Sequence, residues 1–249
     1  MLNQKELALE VCEIGYKKVT KKSSITFLSA ILAGAFIALG YYGYLSVVSK
    51  DMATGSFFFG SAIFTVGLVI ILVAGGELFT GNCLVTMGYF NKQYRLGLVI
   101  KNLLLVYIGN FVGAIIIVLL IYFSGMVKNV EPLLTIYTAA KTDLPIMEAL
   151  LRGILCNILV GMGVYLSYVS KSTAGKIIAA MLPTILFVVS SFEHSVANMF
   201  ILFLGKANGF DVSISAILLG NLLPVTIGNF IGGGVLVTGA YYLIHLRNA

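Results

Sequence analysis

Ser190-Ser191-Phe192-Glu193-His194-Ser195-Val196-Ala197-Asn198 is a polar island between two apolar runs, Ile177 to Val189 and Met199 to Leu204. Drawn as one straight helix, Ile177 to Gly205 would reach about 43 Å at ~1.5 Å per residue, well beyond the ~30 Å apolar core of a bilayer. The spacing therefore predicts a break near the island. Glu and His are expensive inside a membrane and face a cavity or a partner rather than lipid. The island is read as the centre of a pore. The plainer alternative is a His194 that only bonds a neighbouring helix.

The composition fits a pore. Of 249 residues 59 % are apolar and 10 % charged, and the mean hydropathy is +1.01. This is the profile of a polytopic membrane protein with no hydrophilic stretch long enough for a second domain. The net charge of +6 sits at helix ends rather than on one face, so it speaks for topology and against nucleic acid. Cys12, Cys83 and Cys156 are far apart and suggest neither a disulfide framework nor a metal site. Residues 1–24 form a charged segment in which Leu7, Val11 and Ile14 recur at helical spacing, expected to be a cytoplasmic amphipathic helix lying on the membrane surface. Residues 25–249 form a single channel domain.

Six spans can be drawn. They run over Ile25 to Val48, Phe57 to Phe90, Leu96 to Phe123, Ile146 to Val169, the region broken at the island, and Ile214 to Leu246. The second is also too long for one crossing and is interrupted at Gly75-Gly76-Glu77-Leu78-Phe79-Thr80-Gly81-Asn82. Met126 to Pro145 is the longest polar connection. Eleven of the Lys and Arg residues fall on one side and five on the other, which places both termini in the cytoplasm.

The halves repeat. Ile108-Gly109-Asn110-Phe111-Val112-Gly113 returns as Ile227-Gly228-Asn229-Phe230-Ile231-Gly232, and Tyr44-Leu45-Ser46 as Tyr165-Leu166-Ser167. Glu77 and Asn82 in one break match Glu193 and Asn198 in the other. With three spans per half, residues of about 25–125 and 146–246 form an inverted repeat with a broken helix in each half, an arrangement that places a substrate path near the midplane. The expected fold is thus an all-α membrane protein of six transmembrane helices, broken in spans two and five. The glycine pairs Gly109/Gly113 and Gly228/Gly232 let helices pack closely.

Two half-helix N-termini, near Asn82 and near Ser195, would converge on one point. Their partial positive charge and unpaired N–H groups favour an anion or an electron-rich neutral molecule there. Glu77 and Glu193 either accept hydrogen bonds from the break loops or pair with a cation. Thr80 and Asn157 are placed to donate to a passing anion, while Asn157 serves equally well as an interhelical bond. No Walker loop, HExxH, GxSxG or Cys/His cluster occurs, so no catalytic set suggests an enzyme, and no cofactor or metal is implied.

Glu77-Leu78-Phe79-Thr80-Gly81-Asn82, Phe192-Glu193-His194-Ser195-Val196-Ala197-Asn198-Met199 and Asn221-Leu222-Leu223-Pro224-Val225-Thr226-Ile227-Gly228-Asn229 together resemble the formate/nitrite transporter family, over essentially the whole chain. The resemblance implies a homopentamer of aquaporin-like protomers in a bacterial inner membrane, each with its own pore for formate, nitrite or hydrosulfide. The overall look is similar to the hydrosulfide-channel branch. By position, the resemblance makes His194 the central pore histidine, Thr80 its partner on the span-two loop, Asn157 the residue beside it and Lys141 the lysine of the outer vestibule. Phe64, Leu68, Leu78 and Phe187 become the apolar constrictions on either side.

The expected mechanism joins this to physics. A bare anion in a low-dielectric ring costs tens of kcal/mol on an idealised Born estimate, whereas its neutral acid crosses cheaply. Lys141 and the half-helix ends would draw the anion in. An imidazole, with an ordinary pKa of ~6.5, exchanges protons near neutral pH, so the anion would take a proton at or near His194, from the ring or from water. Two rivals share the architecture. An aquaporin-type neutral-solute channel would carry Asn-Pro-Ala at both breaks, where Thr-Gly-Asn and Val-Ala-Asn stand. A sodium-coupled small-anion carrier also uses broken helices and inverted repeats.

Overall fold

The computed structural model describes residues 3–247; the two outermost positions at each end of the expected segments lie outside the described residues. Within them the secondary structure is entirely helical. Five helices are long and apolar enough to cross a membrane. They are α2 (Ser23–Val48), α3 (Thr54–Ala74), α6 (Leu96–Phe123), α8 (Ile146–Val169) and the run Ala216–His245. The region around the polar island is divided into two shorter helices, α9 (Thr173–Val189) and α10 (Ser195–Ala207).

The chain after α3 is divided in the same way. A short α4 (Phe79–Asn82), a 3-10 turn (Cys83–Val85) and α5 (Thr86–Phe90) follow a four-residue gap. Both gaps hold a residue in the left-handed region near their start, Gly75 at φ 90° and Ser191 at φ 54°. Only glycine adopts that conformation freely, so Ser191 holds a conformation that its surroundings must enforce. The half-helix in the first gap starts at Phe79, not near Asn82 as the sequence suggested, because a buried asparagine from another helix caps it there.

Two expectations are revised at the membrane-facing ends. Helix α1 (Gln4–Thr20) begins with a capping box, in which Asn3 Oδ1 accepts from Glu6 N at 2.8 Å and Glu6 Oε2 accepts from Asn3 N at 2.9 Å. Its apolar face, with Leu7, Val11 and Cys12, is buried against Leu84, Met87, Val164 and Tyr165. That face covers protein rather than the bilayer surface, because the ends of α5 and α8 supply a ready apolar partner. The stretch from Met126 to Pro145 is also more than a polar connection. It holds a 3-10 turn (Met126–Asn129) and α7 (Glu131–Thr142), started by Pro132 in the first turn. Leu133, Leu134, Thr138 and Lys141 form its buried face.

Helix α2 packs on α3 and α6, and α8 packs on α9 and on α11 (Leu223–Asn229). The repeated glycines make these crossings tight. A Cβ added to Gly113 would collide with the carbonyl oxygen of Ile31, and one added to Gly232 with that of Ile154. The last span is less regular than its counterpart α6. Two π-helical stretches, Ala216–Leu222 and Phe230–Val237, flank α11, and α12 (Thr238–His245) completes it.

Candidate functional site

Two buried asparagines hold the breaks. Asn110 of α6 accepts from Phe79 N at 2.9 Å and donates to Glu77 O at 2.9 Å and Ala30 O at 2.7 Å. Asn229 of α11 does the same in the second half, accepting from Ser195 N at 2.8 Å and donating to Glu193 O at 2.9 Å and Gly153 O at 2.8 Å. Each amide uses its oxygen on the first N–H of a half-helix, one N–H on a carbonyl freed by the break, and the other on a carbonyl of a neighbouring unbroken helix, α2 or α8. One N–H and one carbonyl of each interrupted stretch are thereby paired within the protein.

A charged cluster accompanies each break. In the second half Lys141 Nζ donates to Glu193 Oε1 at 2.8 Å, Asn198 donates to Glu193 Oε2 at 2.5 Å and to Asn221 Oδ1 at 2.8 Å, and Asn221 donates to Lys141 O at 3.0 Å. In the first half Lys18 Nζ donates to Glu77 Oε2 at 2.6 Å, Asn82 donates to Glu77 Oε2 and Asn102 Oδ1 at 2.9 Å each, and Asn102 donates to Lys18 O at 3.1 Å. Lys21 adds a second cation to Glu77 at 3.1 Å. Burial pulls the Lys18 ammonium down, but Tyr168 and Glu77 outweigh it and hold the group above its ordinary value. Both glutamates thus combine the two roles expected of them, loop acceptor and partner of a cation. Lys141 does not stand free. It is 8 % exposed and tied to Glu193, since a buried ammonium without a counter-ion would be costly.

His194 lies at the head of α10, 3 % exposed. Its Nδ1 accepts from Ala197 N at 3.1 Å, and its Nε2 lies 3.0 Å from Thr80 Oγ1. A backbone N–H can only donate, so Nδ1 carries the lone pair and the ring proton sits on Nε2, facing Thr80. A second proton on the ring would have to displace the Ala197 bond. Asn157 donates to Thr80 O at 3.2 Å and to Asn229 O at 2.6 Å, and its Oδ1 is buried without a partner. Asn157 is therefore an interhelical tie that also fixes the loop carrying Thr80. With Ser195 N, Ala197 N and Asn198 N all occupied, the head of α10 offers an anion fewer N–H groups than the sequence suggested. Buried N–H groups rarely stay unpaired.

Two cavities flank this centre. The one on the Lys141 side has a volume of about 230 Å³ and is lined by Tyr41, Phe64, Lys141, Arg152, Phe187 and His194 among others. On the Lys18 side a cavity of about 450 Å³ is lined by Lys17, Lys18, Lys21, Ile71, Glu77 and Tyr168 among others. Phe64 and Phe187 meet edge to face with ring centroids 5.7 Å apart, and Phe187 stacks on His194 at 5.8 Å. Leu68 and Leu78 are buried, each 3 % exposed, and line neither cavity. Along α3, Phe64 borders one cavity and Ile71 the other, which separates them by about 10 Å of apolar wall at ~1.5 Å per residue.

Several contributors escaped the sequence reading: Asn102, Asn110, Asn221, Asn229, Lys18, Lys21 and the tyrosines of the Lys141-side cavity. The signal for Asn110 and Asn229 was present in the repeated Ile-Gly-Asn-Phe, but the glycines claimed the attention.

A family model described as Formate/nitrite transporter matches residues 5–243. The formate channel FocA of Escherichia coli K12 is 36 % identical, over 94 % of this chain and 91 % of that protein. The uncharacterized transporter YrhG of Bacillus subtilis is 35 % identical, over 96 % and 92 %. Among solved structures, a pentameric formate channel with formate bound superposes with a TM-score of 0.79 at 28 % identity, covering 90 % of this chain and 98 % of that one. An FNT family ion channel superposes at 0.85 with 25 % identity, covering 97 % and 98 %.

Proposed function

The chain belongs to the formate/nitrite transporter family, and from that premise we propose that it passes small monovalent anions across a bacterial inner membrane by carrying them through an apolar wall as neutral acids. The observation that carries the proposal is the pair of cavities, each with a lysine and a glutamate in its lining, separated by Phe64, Phe187 and Leu68, with His194 at the edge of the wall and Thr80 bonded to it from behind. Formate is the first substrate to test, because the relatives FocA, FocB and BtFdhC are named formate channels; nitrite and hydrosulfide are the others. The match to a pentameric channel supports a homopentamer with one pore per protomer. The charge asymmetry of the loops supports termini in the cytoplasm and Lys141 on the outer side.

Magnitudes favour the neutral acid. Protonating a carboxylate of ordinary pKa ~3.9 at pH 7 costs about 4 kcal/mol at 1.36 kcal/mol per unit. Carrying the bare anion through the wall costs several times that on the Born estimate. The anion would meet the N–H groups of Lys141 not used by Glu193, take its proton beside His194 and cross as the acid. The hydrogen-bond pattern favours water as the proton source. Giving up Nε2–H from a neutral ring leaves an imidazolate, and an imidazolium forms only by breaking the Ala197 bond. His194 then acts by holding Thr80, whose hydroxyl is left with its own proton uncommitted.

The test is formate uptake into proteoliposomes between pH 5 and 8 with His194→Gln, which keeps hydrogen-bonding capacity but cannot take a charge. The expected result is slower uptake that still rises as the pH falls. Loss of the pH dependence would make the ring an obligatory proton donor and overturn this part of the mechanism.

A further inference from the structure

Three tyrosines stand on the wall of the Lys141-side cavity, Tyr41 and Tyr44 from α2 and Tyr137 from α7. Their rings form a continuous edge-to-face chain. Centroids lie 5.8 Å apart for Tyr137–Tyr44, 5.9 Å for Tyr44–Tyr41 and 5.7 Å for Tyr41–Phe64. The chain continues through Phe187 to His194. The Tyr44 and Tyr137 hydroxyls bond to each other. One proton is used in that bond, so the accepting hydroxyl keeps its own. The Tyr41 hydroxyl has no hydrogen-bond partner among the described residues, and its ring packs against Phe64, the first ring of the constriction.

The charges around the cavity cancel in pairs. Lys141 is bonded to Glu193 at 2.8 Å and Arg152 to Glu148 at 2.8 Å. Net charge therefore does little to retain an anion here, and uncommitted donors are what the wall offers it. With a volume of about 230 Å³, against ~30 Å³ for a water molecule in the liquid, the cavity has room for a small carboxylate and several waters.

We propose that the Tyr41 hydroxyl, seconded by the free proton of the Tyr44–Tyr137 pair, is the docking donor that makes this pore prefer a small carboxylate to hydrosulfide. A carboxylate presents two oxygens and can engage both phenols at once. Hydrosulfide presents a single sulfur, and sulfur accepts hydrogen bonds weakly. Its packing against Phe64 puts this contact beside the entrance to the apolar wall, on the same cavity as His194. The inference rests on the reading of the chain as a small-anion channel and names the substrate class it selects.

The experiment compares wild type with Tyr41→Phe, which keeps the ring and its packing, in proteoliposomes supplied with formate or hydrosulfide. Wild-type flux is measured first; if neither anion crosses, the transport reading itself falls, and this inference with it. If wild type conducts, Tyr41→Phe is expected to raise the half-saturation concentration for formate about tenfold, with the maximal rate kept. A tenfold change corresponds to ~1.4 kcal/mol, within reach of one hydrogen bond to a charged group. The value for hydrosulfide should move less than twofold. Equal shifts for both anions, or no shift for either, would reduce Tyr41 to a packing residue and overturn the proposal while leaving the channel reading intact. A thermal unfolding curve matching wild type is required of the variant, and Tyr44→Phe serves as a second variant if it is not met.

Discussion

Replacing Asn229 by alanine removes three hydrogen bonds at once. The carbonyl of Glu193 and the N–H of Ser195 lose their partner, the carbonyl of Gly153 in α8 loses its second donor, and all three lie around a residue that is fully buried. Interhelical hydrogen bonds in membrane proteins average ~0.6 kcal/mol in double-mutant cycles, so three give a floor of about 2 kcal/mol. If no water reaches the two groups left unpaired, each costs ~1–3 kcal/mol, which with the third lost bond sets a ceiling of about 7. The expected loss therefore lies between these bounds. Asn110→Ala breaks the same set in the other half and should cost the same within about 1 kcal/mol. The assay is reversible unfolding of the purified protein in mixed micelles with increasing denaturing detergent. Asn208→Ala is the control, because that side chain makes only a long bond of 3.4 Å at the surface. The functional arm differs between the two. The Asn229 side chain anchors Ser195 N, next to His194 at the head of α10, so Asn229→Ala should slow formate flux more than its loss of stability alone explains; the Asn157 bond is to the backbone carbonyl of Asn229 and survives the substitution. A loss below 1 kcal/mol in both variants, with flux intact, would refute the claim that these amides organise the breaks.

Two other outcomes follow from the packing. Lys141→Met should destabilise by about 3–5 kcal/mol, the usual cost of stranding one member of a buried ion pair. The double variant Lys141→Met with Glu193→Gln should recover most of that in the same unfolding assay, and no recovery would mean that Lys141 acts independently of Glu193. In α1, burial pushes the Cys12 thiol up to about 12, against ~8.5 for a free one. Its folded value lies above its unfolded one, so Cys12 takes stability away as the pH rises past about 9. At pH 8 its thiolate fraction is about 10³-fold below that of an exposed cysteine, and maleimide labelling of the Cys12 peptide, read by mass spectrometry, should be slower by that order. Labelling at the rate of a free thiol would show that α1 is not docked.

Parts of this architecture were plain in the sequence. Helices α6 and α8 start and stop where the apolar runs do, because Arg95 and Pro145 mark their beginnings and the polar residues inside them are too scattered to break the run. Both gaps were visible as polar stretches in runs too long to cross a bilayer once. The pairing of Thr80 with His194 was implied by the resemblance and is a contact of 3.0 Å in the structure. Other features left no readable trace. Periodicity shows that Leu7 and Val11 share a face, but not whether lipid or protein covers it. Lys18 and Lys141 occupy equivalent places, yet one lies before the first span and the other in a connection, and the spacing between partners drifts along the chain. Lys141 looked like a vestibule charge because sequence cannot show that Glu193 comes within 2.8 Å of it. The state of the imidazole depends on a backbone N–H three residues on, which no motif encodes.

The cancelled charges bear on throughput. A free ammonium 4 Å from an anion, in surroundings of effective dielectric ~20, would hold it by about 4 kcal/mol. That would hold the anion at the mouth with little gain in crossing, since conduction needs sites weak enough to leave as well as to enter. Pairing Lys141 with Glu193, and Lys18 and Lys21 with Glu77, keeps donors at both mouths while removing most of that trap. On the proposed neutral-acid route the remaining barrier would be set mainly by the proton, at about 4 kcal/mol for a carboxylate at pH 7, and not by release from a binding site. A neutral acid moves no net charge, so the same design leaves its crossing indifferent to the membrane potential and responsive to the pH on each side. The two mirrored clusters fit that behaviour, because a wall that passes only the acid presents the same task from either cavity.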